Sequence, residues 1–177
     1  LIIIPLVFPA SNWVSILDEP VSILNGATMY DVSTNDWKES LEWIKLNTSS
    51  DSIVLSWWDY GYWITTVSER TTLVDNATID SKQIQKVANI LLSSPDDAWS
   101  MLQETGSDYV MIFVAGQKFQ STDETLLYLL EGGGDESKKM WFMKIAGVPV
   151  EKYLHSDGIS GNDYFWNETL LGKMIPF

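Results

Sequence analysis

The chain has 177 residues, 45% of them apolar and 20% charged, and a formal net charge of −13. That apolar share marks a globular chain with room for one well-cored domain. The excess of acid argues against nucleic acid or an anionic membrane surface as a partner. The absence of cysteine excludes a disulfide framework and a thiolate metal site. His155 is the single histidine, which argues against a Ser-His-Asp hydrolase or a histidine-rich metal centre.

The first nine residues, Leu1 to Pro9, are apolar throughout. As helix they would cover only about 14 Å, against roughly 30 Å of hydrocarbon in a bilayer, and no basic region precedes them as in a signal peptide. They read as the stump of a longer membrane segment, with a buried strand as the other reading. The expected order is therefore a hydrophobic stump over 1–9, a connector over 10–35 rich in Ser, Asn, Pro and Gly, and a globular domain over 36–177.

Asp36 and Glu39 have the spacing of a capping box, and Trp37, Leu41 and Ile44 form one apolar helix face. Ile53–Leu55 reads as a short buried strand, residues 60–67 as one or two helical turns, and Thr71–Val74 as a second strand. Asp80 and Gln83 open a helix with Ile84, Val87, Ala88 and Leu91 inward. Ser94-Pro95 opens another, with Asp96 and Asp97 in its first turn, and Gly106 closes it. Residues 109–114 form a continuous apolar run, expected to be a strand buried on both faces and ended by Gly116. Ser121 and Glu124 should cap a helix over Leu126–Leu130, and a further helix should run from Asp135 to Ile145 with Gly147 after it. A loop follows over 148–163, then an amphipathic stretch over 164–174. The pattern predicts an α/β fold, a small sheet of about three to four strands covered by several helices. Gly132-Gly133-Gly134 follows a predicted helix and lacks phosphate-loop spacing.

One stretch carries more chemistry than a core needs. Trp57-Trp58-Asp59-Tyr60-Gly61 directly follows the Ile53–Leu55 strand, at the carboxyl end where open α/β sheets place ligands. Buried indole N–H groups and a carboxylate each require partners. A hydroxyl has one proton to donate and two lone pairs to fill. Asp59 can take the proton while Trp57 and Trp58 donate to the oxygen, so a small hydroxyl-bearing group closes the inventory. The other reading of the cluster is an aromatic knot sealing the end of the sheet.

In these five letters, WWDYG, the chain resembles the catalytic subunit of oligosaccharyltransferase, the enzyme of asparagine-linked glycosylation, in its C-terminal globular domain and of archaeal type. Arg70-Thr71-Thr72-Leu73-Val74-Asp75-Asn76, Ser107-Asp108-Tyr109-Val110 and Thr169-Leu170-Leu171 look like family segments in the same order. The likeness thus spans roughly residues 36–177. The resemblance implies a soluble domain following a membrane span, on the extracytoplasmic face. Its implied partners are a lipid-linked oligosaccharide, an acceptor polypeptide carrying Asn-X-Ser/Thr, and the protein's own transmembrane domain. It implies that Trp57, Trp58, Asp59, Tyr60 and Gly61 hold the acceptor's Ser or Thr hydroxyl. A site built to hydrogen-bond a hydroxyl can reject an analogue lacking it by roughly 10⁴–10⁵.

A second family pattern, D-x-x-K-x-x-x-M or I, is matched at Asp135 and Lys138, while its hydrophobic position falls on Phe142. On a helix these three share one face, which would place Phe142 against a threonine methyl. Apart from the family pattern, Asp135 and Lys138 read as a solvated pair. The resemblance also implies a divalent metal, Mn or Mg, whose carboxylate ligands and the catalytic residues lie outside this sequence, so that the chain alone would be inactive. The competing readings are a stand-alone carbohydrate- or peptide-binding module and an interaction scaffold. Asn47-Thr48-Ser49, Asn76-Ala77-Thr78 and Asn167-Glu168-Thr169 match the glycosylation sequon. Asn47 and Asn76, both expected to be exposed, are the glycosylation candidates; Asn167 falls in the amphipathic stretch.

Overall fold

The computed structural model describes residues 36–120 and 126–175. The expected stump, the connector, and the caps at Ser121 and Glu124 lie outside the described residues. The chain forms two compact units. Of the described residues, one joins 36–50 with Trp63–Arg70; the other joins Asp51–Tyr62 with those from Thr71 onward.

In the first unit, helix α1 (Asp36–Asn47) buries Trp37, Leu41 and Ile44, as its 3.6-residue period predicts. These residues pack in the same unit as the π-helical turn Ile64–Ser68, of which Ile64 and Ser68 are buried. Arg70 closes the carboxyl end of α1. Its guanidinium donates to the carbonyls of Lys45 at 2.6 Å and Thr48 at 2.8 Å, to the Thr48 hydroxyl at 2.8 Å, and to the carbonyls of Ser68 and Glu69 at 3.1 Å. Helix carbonyls at that end have no partner within the helix and carry partial negative charge, so a cation with fixed forked donors suits them.

The second unit holds a parallel sheet in the order β2-β1-β3, with β1 Ile53–Leu55, β2 Thr71–Thr72 and β3 Tyr109–Val110. Parallel neighbours need crossovers. Helix α2 (Ser81–Leu92) and helix α3 (Pro95–Thr105) lie between β2 and β3 in the chain. Their caps are those the sequence predicts. The Asp80 carboxylate accepts from the N–H groups of Lys82 and Gln83. The Ser94 hydroxyl accepts from the N–H of Asp97, Pro95 opens α3, and Gly106 ends it with a left-handed backbone, φ 68°.

Helix α4 (Lys139–Ala146) packs against α2 and buries Phe142 and Met143. With Leu55, Val87, Leu91, Phe165 and Leu171 these belong to the buried core of the unit. The terminal stretch is two short helices, α5 (Asp163–Glu168) and α6 (Leu170–Met174), not one. Thr169 breaks it with an extended backbone. Its buried hydroxyl donates to the Phe165 carbonyl and accepts from the Gly172 N–H. The predicted 148–163 loop carries a 3₁₀ turn at Val150–Lys152 and a bridge between Leu154 and Gly161, with Tyr153 and Leu154 buried.

Three strand expectations are corrected. The apolar run 109–114 is not one strand: only Tyr109–Val110 joins the parallel sheet, at its edge, with Tyr109 41% exposed, and Val114 already opens the next strand. The ladder ends because Asp135 takes the main chain of Phe113: its carboxylate accepts the Phe113 N–H, and its own N–H donates to the Phe113 carbonyl. The Thr71–Val74 strand stops at Thr72, whose hydroxyl donates to the Val74 carbonyl. Most different is the leucine-rich segment. It is strand β5 (Leu126–Gly134), paired antiparallel with β4 (Val114–Gln120), and Gly116 lies within β4 at a register shift and does not end a strand. A short apolar run has no period that separates strand from helix, so the partner decides. The α/β class and the small sheet under several helices hold.

Candidate functional site

Strand β1 is followed by Ser56, Trp57 and a 3₁₀ turn, Trp58–Tyr60, which passes into a helical turn at Gly61–Trp63. This tight winding turns the aromatic residues to different sides. Trp57 and Tyr60 are buried, whereas Trp58 and Asp59 are half-buried. Gly61 is required here because its turn runs against the main chain of the 74–75 segment. A Cβ at this position would lie 2.5 Å from both the Asp75 Cα and the Val74 carbonyl oxygen. Gly61→Ala is therefore expected to destabilise the domain by about 2–3 kcal/mol through forced backbone displacement. A thermal melt of the purified domain checks this, and an unchanged Tm would contradict it.

From the far end of the chain, β5 delivers Asp135. Gly133 and Gly134 make the approach possible. A Cβ on Gly133 would meet the Ala115 Cβ at 2.7 Å, and Gly134, at φ 69°, would bring one within 2.4 Å of the Phe113 carbonyl oxygen. The three glycines thus belong to the strand that positions Asp135. A 3₁₀ turn, Glu136–Lys138, then leads into α4.

Asp135 is only 1% exposed. Its carboxylate accepts the Tyr60 hydroxyl at 2.9 Å and the Phe113 N–H at 2.8 Å. The Lys138 ammonium donates to the Tyr60 oxygen at 2.6 Å and to Asp59 Oδ2 at 2.5 Å, with Asp135 Oδ1 farther away at 3.5 Å. The expectation of a solvated Asp135–Lys138 pair fails, because the partners that matter come from the turn after β1. One ammonium bridges a phenol and two carboxylates, and it also lies over the Tyr60 ring.

Burial, with the negative Asp135 and Asp59 beside it, pushes the Tyr60 phenol far above its ordinary value, so it stays protonated and donates. Burial also raises the Asp135 carboxyl, against the pull of Lys138, the Phe113 N–H and the Tyr60 hydroxyl. Asp59 is divided between its two oxygens. Oδ2 is held by Lys138, while Oδ1 is buried with no hydrogen-bond partner among the described residues. An acceptor left in that state is costly unless something donates to it.

Trp57 stands edge-on to Phe142, ring centroids 4.4 Å apart. Phe142 is fully buried and packs against Trp57. The structure therefore gathers Asp59, Tyr60, Asp135 and Lys138 into one network and places Trp57 on Phe142 beside it. Among the described residues no three His, Asp or Glu side chains converge to hold a metal. Asp59 and Asp135 already share an ammonium, so this carboxylate pair does not fit a divalent ion.

Two contributions were not foreseen in the sequence. One is the Phe113 main chain. The other is Asn76, which is half-buried and not exposed as expected. Its amide donates to the Asp59 carbonyl at 2.9 Å and accepts from the Tyr62 N–H at 3.1 Å. A polar residue after a strand, in a turn, is the sequence signal that was open to this second meaning.

This small sheet under helices is that of a C-terminal globular domain. The crystal structure of the C-terminal globular domain of oligosaccharyltransferase from Archaeoglobus fulgidus matches with a TM-score of 0.55 and 30% identity, over 81% of this chain and 82% of that one. Residues 50–125 match the family described as the STT3/PglB/AglB core domain. The rice STT3B subunit of dolichyl-diphosphooligosaccharide–protein glycosyltransferase is 30% identical over 80% of this chain and 18% of its own length. The Saccharomyces cerevisiae STT3 subunit is 34% identical over 70% of this chain and 16% of its own length. The chain belongs to the oligosaccharyltransferase catalytic-subunit family, STT3/PglB/AglB. It spans less than a fifth of the length of these two curated relatives. No helix among the described residues is long and apolar enough to cross a membrane.

Proposed function

We propose that this chain is the acceptor-recognition domain of a membrane oligosaccharyltransferase, holding the Ser or Thr hydroxyl of Asn-X-Ser/Thr while oligosaccharide passes from a lipid carrier to the asparagine. The observation that carries the reading is Asp59, with one oxygen fixed by Lys138 and the other a buried acceptor lacking a donor among the described residues. A hydroxyl proton is the missing donor. Lys138, itself held by the Tyr60 oxygen, fixes the carboxylate in place, and Phe142 holds Trp57, so the site is organised before the acceptor arrives. Trp57 and Trp58 would supply the N–H groups that fill the hydroxyl's lone pairs.

The chemistry itself belongs elsewhere in this reading. Carboxylates for a divalent metal, the site of the lipid-linked donor and the membrane helices would lie in other parts of the protein, with this domain on the extracytoplasmic face. The test uses full-length enzyme, lipid-linked donor and a sequon peptide. Asp59→Ala should lower acceptor kcat/KM about ten- to a hundredfold, the loss of one charge-assisted hydrogen bond worth roughly 1.5–3 kcal/mol. An unchanged value would reduce the cluster to a structural knot. Product from the isolated chain would refute the division of labour.

The location makes its own prediction. Asn47 is exposed at the end of α1, and a glycan there costs the fold little. Asn167 lies inside α5, where helical backbone opposes the extended acceptor conformation. Peptide mapping of protein from its native membrane should find glycan on Asn47 and little on Asn167. A bare Asn47 would count against the extracytoplasmic face.

A further inference from the structure

We infer that Asn76 is a positioning residue of the acceptor site and not a glycan acceptor, an inference that rests on the function proposed above. Three observations meet at this side chain. First, its amide spans the turn that carries Asp59, donating to the main-chain carbonyl of Asp59 and accepting the N–H of Tyr62. One planar amide thus ties both ends of a four-residue segment whose direction sets where the Asp59 carboxylate points.

Second, the 74–76 main chain is itself held against the turn. The missing Cβ of Gly61 lets Val74 and Asp75 approach to a distance that any side chain would forbid. Third, the loop beyond is pinned back on Asp75. Its carboxylate accepts the Ala77 N–H at 2.9 Å and its carbonyl accepts the Thr78 N–H at 3.1 Å, with Thr78 in the left-handed region at φ 52°. A threonine rarely adopts that conformation without external support. The sequon Asn76-Ala77-Thr78 is therefore folded into a tight turn with its asparagine nitrogen hydrogen-bonded. A glycan would replace one of that nitrogen's two hydrogens, and the tight turn opposes the extended conformation of an acceptor.

Asn76→Ala removes the clamp and the sequon together. Thr78→Gly removes the sequon alone and suits the left-handed backbone. In full-length enzyme, Asn76→Ala should raise KM for a threonine-sequon peptide about tenfold, as expected for two lost hydrogen bonds, with kcat within about twofold. Merely unfolded enzyme would lose Vmax at unchanged KM. Asn76→Asp, which keeps the acceptor for Tyr62 but loses the donor to Asp59, should fall between. Thr78→Gly should match wild type, and mapping of wild-type protein should find Asn76 bare.

Glycan on Asn76 would overturn the inference even if every Asn76 variant failed to fold. So would wild-type KM in Asn76→Ala, or equal defects in Asn76→Ala and Thr78→Gly. Asp59→Ala, run in parallel, separates the two levels. Normal acceptor kinetics there would defeat the proposed function and this inference with it. A defect there with a silent Asn76→Ala defeats this inference alone.

Discussion

Asp135→Ala is expected to cost the domain about 3–5 kcal/mol, the usual penalty for removing one partner from a buried charged network. The carboxylate has no solvent to fall back on, and its loss takes the acceptor from two donors at once. These are the Tyr60 hydroxyl and the Phe113 N–H, while the Lys138 ammonium keeps Asp59. Each of these two donors would lose the hydrogen bond it makes to this carboxylate. Urea unfolding of the purified chain should show a midpoint lower by more than about 1 M, and a shift below a few tenths would reject the account.

Asp135→Asn separates charge from shape. Burial raises the Asp135 carboxyl above its ordinary 3.8, so the folded state binds that proton more tightly than the unfolded chain does. The stability this group contributes is therefore complete below the unfolded value and is lost as pH rises through the folded one. Asparagine cannot titrate. Relative to Asp135→Asn, wild type should lose stability as pH rises above about 4, read from urea midpoints at a series of pH values. A difference independent of pH would place the carboxyl's folded value at its unfolded one.

The second large effect lies in the other unit. Arg70→Ala should cost about 3–4 kcal/mol, since five hydrogen bonds from a charged donor are lost and the part-buried carbonyls at the end of α1 lose their cation. Arg70→Lys should recover little of it. An ammonium carries three donors at one point and cannot span Lys45, Thr48, Ser68 and Glu69 as the guanidinium fork does. Hydrogen exchange localises the consequence. The amides of α1 and of residues 64–70 should lose protection, and recovery of full protection by Arg70→Lys would show that charge alone suffices.

Arg70 also shows how far a sequence reading reaches. The helix it closes was legible, because Trp37, Leu41 and Ile44 repeat at the helical period and need no knowledge of what they face. The caps at Asp80, Ser94, Gly106 and Gly147 were equally local, each a matter of one side chain or one φ angle within a few residues. The cluster after β1 was legible for a different reason. Tandem indoles and a carboxylate are hard to bury without a purpose, so composition alone marked the place.

What the sequence by itself determined, then, were those features set within one turn of chain: the capped helices from Ser81 and Pro95, the α/β alternation, and the position of the chemistry. What only the tertiary structure decided depends on partners far away. Tyr60 meets Asp135 across 75 positions and Asp59 meets Lys138 across 79, and no local period encodes either meeting. The leucines before Gly132 became a strand because β4 offered an open ladder, and the 109–114 run lost its strand because Asp135 claimed the main chain of Phe113. Asn76 reads as a turn residue until the turn is folded against Gly61. The physical reason is common to all of these: a buried hydrogen-bonding group takes whatever partner the fold brings within about 3 Å, and that partner is a property of the folded chain, not of its neighbours in sequence.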